Sequence, residues 1–135
     1  MREVKVTVTT KELQEHYIGL AEVIREKKNF PVEVNMAMAK NNAVMERELK
    51  AGNEAAKEII DRFTMKDEQG EPVVKENHYV FEKKEDEEAY IKAMKELDEV
   101  EFECQVYTVS RSTFDDKHEE PTAYDFVLLD FMLED

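Results

Sequence analysis

Tryptophan is absent from these 135 residues, and cysteine, glycine and proline are scarce: one Cys, three Gly and three Pro. The lone thiol, Cys104, excludes an intramolecular disulfide and any cysteine-cluster metal site, and it suits a reducing compartment. Gly19, Gly52 and Gly70 stand apart, so there is no glycine-rich loop to cradle phosphate and no Gly-x-Ser-x-Gly elbow to present a nucleophile. No apolar run approaches the roughly 18 residues of a membrane span. Met1-Arg2-Glu3-Val4-Lys5-Val6 has no apolar signal-peptide segment, so export by that route is not expected. His16, His78 and His118 are far apart and lack the His-x-x-x-His or His-Glu-x-x-His spacing of local zinc sites. Cations are outnumbered as well, 19 Lys and Arg against 33 Asp and Glu, for a net charge of −14.

What is present is a modest apolar fraction, 41%, beside 39% charged residues, enough for one core under a heavily charged surface. The charge is uneven. Residues 1–45 carry a net +1, residues 46–90 a net −6 and residues 91–135 a net −9. Such a chain repels phosphate backbones, so direct binding of DNA or RNA is not expected. A protein partner with a basic surface is attracted instead, although acidity also serves solubility alone.

The pattern along the chain sets the fold. Val4, Val6 and Val8 alternate with Lys5, Thr7 and Thr9, the period of a half-buried strand. Thr9 and Glu12 form a capping box, and Leu13, Tyr17, Leu20, Ala21 and Ile24 follow on one helical face. Arg25, Lys27 and Lys28 suit the negative end of that helix. From Pro31 to about Met65 a second helix is expected, a rod of about 50 Å if continuous. Met38, Asn42, Met45, Leu49, Gly52, Ala56, Ile59 and Phe63 make a heptad seam along it, through which a homo-oligomer is possible. Asn42 on that seam either fixes register or faces solvent, and Gly52 implies close packing or a kink. Asp67-Glu68-Gln69-Gly70-Glu71-Pro72 is a turn cluster, with a small hairpin at Val73-Val74 and Tyr79-Val80-Phe81. A third helix begins near Glu85, with Tyr90, Ala93, Met94 and Leu97 on one face. Residues 100–108 alternate as a strand. Thr122 and Asp125 form a second capping box for a terminal helix running to Leu133, apolar on nearly every side, which belongs in the core or at an interface. The expected fold is α+β in a single domain, 1–135: a long central helix with two or three shorter helices packed on a small, mostly antiparallel sheet, in the order β-α-α-β-β-α-β-α.

No set of residues combines a nucleophile, a base and a stabiliser, so no enzyme is expected, with no catalytic residue, cofactor or metal. Cys104 falls on the apolar face of its strand, away from Glu103 and Gln105. Asp115-Asp116-Lys117-His118-Glu119-Glu120 lacks the alternating ligands and glycine of an EF-hand loop. The candidate partner-binding residues are therefore the carboxylates Glu85, Asp86, Glu87 and Glu88, the strand pair Glu101 and Glu103, and Asp115, Asp116, Glu119 and Glu120. To these the terminal helix adds Phe126, Leu129, Met132 and Leu133.

The run from Leu13 to Ile24, then Phe30-Pro31-Val32-Glu33-Val34 and Ala37-Met38-Ala39-Lys40-Asn41, resembles a family of small proteins of tailed phages and prophages of Gram-positive bacteria, a domain of unknown function. The likeness continues through Asp67-Glu68-Gln69-Gly70 and Val100-Glu101-Phe102-Glu103-Cys104 to the ending from Asp125 to Glu134, and covers almost the whole chain. Phe30 stands where the family more often has leucine. The resemblance implies a phage origin and no catalytic residues. It leaves two expectations: an accessory protein of the host bacterial cytoplasm that binds and inhibits a host enzyme or defence complex, or a virion, tail or connector assembly component or its chaperone.

Overall fold

The computed structural model describes every residue from Met1 to Asp135. Alternation at the start becomes strand β1 (Arg2–Thr9), and helix α1 (Thr10–Glu26) follows with no connecting loop. Thr9 makes that junction. Its hydroxyl accepts from the Glu12 amide at 3.1 Å while the Glu12 carboxylate accepts from the Thr9 amide at 3.3 Å, the expected capping box. Lys27 closes α1 in the left-handed region, φ 53°. The face of α1 that is buried carries Leu13, Leu20 and Val23. Ile24, expected inside, is exposed, because the third turn is reached by a step of three from Leu20 and not of four.

Helix α2 (Val32–Phe63) is one element, passing unbroken through Gly52. The remaining elements are β2 (Val74–Lys75), β3 (His78–Tyr79), α3 (Lys84–Glu99), β4 (Glu101–Ser110), α4 (Ala123–Leu129) and β5 (Leu133–Glu134). The fold is α+β in the expected order, with one short strand added at the end.

The chain forms two compact units, Met1–Leu49 with Glu101–Asp135, and Lys50–Val100. In the first unit the sheet order is β1-β4-β5. β1 and β4 are antiparallel, from Arg2 opposite Thr108 to Thr9 opposite Glu101. Val8, Cys104, Val106 and Thr108 face inward, under Leu13 and Leu20 of α1 and Val34, Ala37 and Met45 of α2. The terminal helix is shorter than its composition suggests. α4 stops at Leu129, one turn of 3-10 helix covers Asp130–Met132, and Leu133–Glu134 pair in parallel with Val109–Ser110 of β4. An apolar segment of this length meets two surfaces, α1 and the edge of β4, and changes conformation between them.

In this unit the seam of α2 holds at Met38 and Met45 and shifts by one residue at the asparagine. Its buried positions are Val34, Ala37, Met38, Asn41, Val44 and Met45, so the buried amide is Asn41 and Asn42 lies beside it, half-buried. Met38 and Met45 are inside the chain's own core, which removes the first half of the seam as an oligomer contact.

The second unit is built differently. Asp67 Oδ1 accepts from the amides of Gln69 (2.9 Å) and Glu71 (3.0 Å), closing the turn over Gly70, whose φ of 78° only glycine adopts freely. Glu76 and Asn77, both at positive φ (51° and 65°), form the two-residue turn of the β2–β3 hairpin. Tyr90 of α3 packs against Tyr79 and Phe81 at centroid distances of 6.1 and 5.3 Å. No apolar side chain of this unit is fully buried; the core lies wholly in the first unit.

Candidate functional site

The outer face of the β1–β4 sheet follows from its register. Thr9 stands opposite Glu101, Thr7 opposite Glu103, Lys5 opposite Gln105 and Glu3 opposite Tyr107. Glu101 and Glu103 are exposed as expected. The face is not uniformly acidic, however. Glu103 shares a shallow depression with Lys5, Arg47, Val44 and Gln105, and Lys40 lies 5.0 Å from the centroid of the Tyr107 ring.

Of the loop carboxylates, only Asp116 and Glu120 are unengaged. Asp115 accepts from its own loop, from the Lys117 amide at 3.0 Å and against His118 Nδ1 at 2.7 Å. The His118 hydrogen bond holds the Asp115 carboxyl below its ordinary value. Glu119 is fixed to the α1–α2 connection: its carboxylate accepts from the Asn29 amide at 3.0 Å and its own amide donates to the Asn29 carbonyl at 2.9 Å. Half of the expected patch is therefore structural.

The terminal segment divides in the same way. Leu129 and Met132, expected on a docking face, have no exposed surface at all, and Phe126 and Leu133 are half-covered. The large apolar side chains that α4 does expose are Tyr124 (54%) and Val127 (71%). Sequence alternation could not find them, because every position of this segment is apolar except two aspartates. One of these, Asp125, is buried and caps its helix. Its Oδ2 accepts from Thr122 N at 2.9 Å and from Lys28 Nζ at 2.5 Å, while Oδ1 is buried without a partner. Burial pushes the Asp125 carboxyl up, but the Lys28 and Thr122 hydrogen bonds outweigh it and hold the group below its ordinary value. The same hydrogen bond raises Lys28.

In the second unit Glu85, Glu87 and Glu88 are exposed and Asp86 is half-covered, all in the first turn and a half of α3, where carboxylates suit the positive end of the helix. No ion pair engages any of them. Ile91 (57%), Val74 and Met65 in the same unit are exposed apolar side chains.

His16 and Cys104 line one small pocket, with Val6, Val8, Leu13, Met45, Val106 and Phe131 around them. Burial pushes the Cys104 thiol up, which favours its protonated form. His16 stacks on Phe131 at 4.7 Å, His78 lies on the exposed hairpin and His118 faces Asp115. No group of three or more His, Cys, Asp or Glu side chains is placed to hold a metal ion, and no helix is long and apolar enough to cross a membrane. A cleft of about 330 Å³ between α1 and α2, lined by Val23, Phe30, Met38, Lys27, Lys28 and Asn42, has no titratable pair suited to acid–base chemistry. Compared with protein-family models, curated proteins and solved structures, the chain matches none.

Proposed function

We propose that this chain is a non-enzymatic binding protein, an accessory factor of the phage kind it resembles, which docks on a basic protein surface and by occupying it inhibits a host enzyme or defence complex. The observation that carries this reading is the composition of the second unit's surface. Residues 50–100 bury no apolar side chain fully, expose Ile91, Val74 and Met65, and carry at the start of α3, just before Ile91, four carboxylates without ion-pair partners, Glu85, Asp86, Glu87 and Glu88. Exposed apolar side chains suit a protein partner, and a run of carboxylates without ion-pair partners suits one of basic charge. Glu101 and Glu103 are the corresponding carboxylates of the first unit.

The test is kinetic. Partners are captured from an infected Gram-positive host lysate, and the association rate of the purified pair is followed from low to high salt. Steering by carboxylates acts over about one Debye length, about 8 Å at physiological salt, so the rate should fall as salt rises. Gln at Glu85, Glu87 and Glu88 together should slow association by about tenfold while the circular dichroism stays that of the folded chain, as should Gln at Glu101 and Glu103 if that face also docks. A rate indifferent to salt and to both variants refutes the electrostatic reading. Capture of virion proteins only, with the chain itself present in purified virions, moves the assignment to assembly.

A further inference from the structure

β1 is the end strand of its sheet, and its outer edge is bare backbone. Which groups that edge presents follows from the ladder. Tyr107 turns its N–H and C=O away from β1, since both are taken by the Asn41 side chain. Across an antiparallel ladder the residue opposite such a position also turns its backbone outward, and the pattern repeats every second residue. Glu3 stands opposite Tyr107, Lys5 opposite Gln105 and Thr7 opposite Glu103. These three therefore direct their N–H and C=O groups off the sheet. Thr9, next in the series, obeys the same parity, its amide going to the Glu12 carboxylate and not to β4.

The strand is eight residues long, free of proline and unbulged in its pairing, and its inward-facing Val4 and Val6 are only half-buried. Natural edges of this length are normally blocked or paired. The side chains identify the pairing strand. We propose that a second copy of this chain docks here, β1 against β1, antiparallel about a two-fold axis at Val4, giving a continuous sheet in the order β5-β4-β1-β1-β4-β5.

Because the outward groups belong to odd-numbered residues, odd must face odd in a two-fold pairing. Three central registers satisfy this. Centred on Val4, Glu3 faces Lys5 of the second copy and Lys5 faces its Glu3, two ion pairs related by the axis. Centred on Lys5, the two lysines face each other. Centred on Val6, Lys5 faces Thr7 and no charge pair forms. Opposite charges directly across a ladder stabilise it and like charges oppose it, so the first register is selected. The Glu3 carboxylate has the capacity, since only its Oε1 is taken, by Gln105 Nε2. In the same register the half-exposed Val4 side chains cover each other on the inner face. Arg2, Glu3 and Lys5 also give β1 a net +1 within a chain of −14, so two copies repel least along this strand.

Sedimentation equilibrium of the full chain, from micromolar to millimolar at about 0.15 M salt, tests the proposal under conditions where the long-range repulsion of two acidic copies is screened beyond about 8 Å. A concentration-dependent dimer is expected. Glu3→Lys alone or Lys5→Glu alone turns both ion pairs into like-charge pairs and should weaken dimerisation about tenfold, and the double swap should restore it. Lys5→Pro removes one outward N–H, a change tolerated at an edge, and should abolish the dimer with the circular dichroism unchanged. Should Lys5→Pro fail to fold, the charge swaps decide, because they leave the backbone intact. A chain that stays monomeric at millimolar concentration, or a dimer indifferent to the swaps, overturns the proposal.

Discussion

The amide of Asn41 stands where a neighbouring strand would otherwise be. Its Nδ2 donates to the Tyr107 carbonyl at 2.8 Å and its Oδ1 accepts from the Tyr107 amide at 2.7 Å, so a helix side chain completes the edge of β4 just before β5 takes over at Val109. Asn41→Leu, alike in branching but without the amide, would leave both backbone groups dry and should cost about 2–4 kcal/mol, read as a shift in the urea midpoint. Asn41→Asp should also destabilise, since its second oxygen would meet the carbonyl. Sequence periodicity pointed to Asn42, one residue away, because an asparagine pair on a helix gives no sign of which amide meets a backbone group from residue 107. Asp125 gives a pH dependence. Its carboxyl is held below the ordinary value when folded, so the unfolded chain binds that proton more readily. The contribution is complete above the ordinary carboxylate pKa of about 3.9 and is lost as pH falls through the lower folded value. Asp125→Asn should therefore be less stable than the parent at pH 7, and the gap should close in acid; urea unfolding of both proteins between pH 7 and pH 2 measures it. A gap of constant size would show that the Lys28 pair adds nothing.

At the level of elements, the two capping boxes were legible because their partners are three residues apart: Thr9 with Glu12, and Thr122 with Asp125. The end of α4 was not, because it is set by parallel pairing with a strand more than twenty residues upstream in sequence. The long helix was legible through its lack of breakers, but which half of its seam would be buried was not. Burial there depends on β4, which a heptad pattern does not report. The approach of α1 to α4 rests on Gly19. A Cβ added at that position would meet Leu128 Cδ2 at 3.1 Å, with Leu128 Cβ at 3.6 Å. Gly19→Ala gains about 1 kcal/mol of helix propensity and asks Leu128 to yield by a few tenths of an ångström, so it should be near neutral. Gly19→Val adds two more methyl groups against the same side chain and should cost about 1–3 kcal/mol. Thermal melting of both variants checks the contrast; equal melting temperatures would mean that α4 shifts freely along α1.

Across the whole molecule, acidity and apolar cover are distributed differently. The first unit carries a net −8 and the second a net −6, so neither holds the charge alone, whereas every fully buried apolar side chain belongs to the first. Charge was legible from composition. The uneven core was not, since residues 50–100 contain aromatic and aliphatic side chains in ordinary helical and hairpin patterns. The candidate carboxylates were legible as exposed types, but not Glu119's attachment to Asn29 or Asp115's to His118, which are contacts of particular geometry. One feature of the architecture also bears on how the protein is made. β1 and β4 pair residue for residue, yet Thr9 and Glu101 lie at opposite ends of a loop that contains α1, α2 and the entire second unit. At about 5–20 residues per second, β4 leaves the ribosome some 5–20 s after β1, and Met132 later still. For that interval the newborn amino-terminal strand has both flanks open, with its valines in water. Glu3 and Lys5, whose charges fit a second copy of the strand, then leave it open to pairing with a neighbouring nascent chain until β4 arrives.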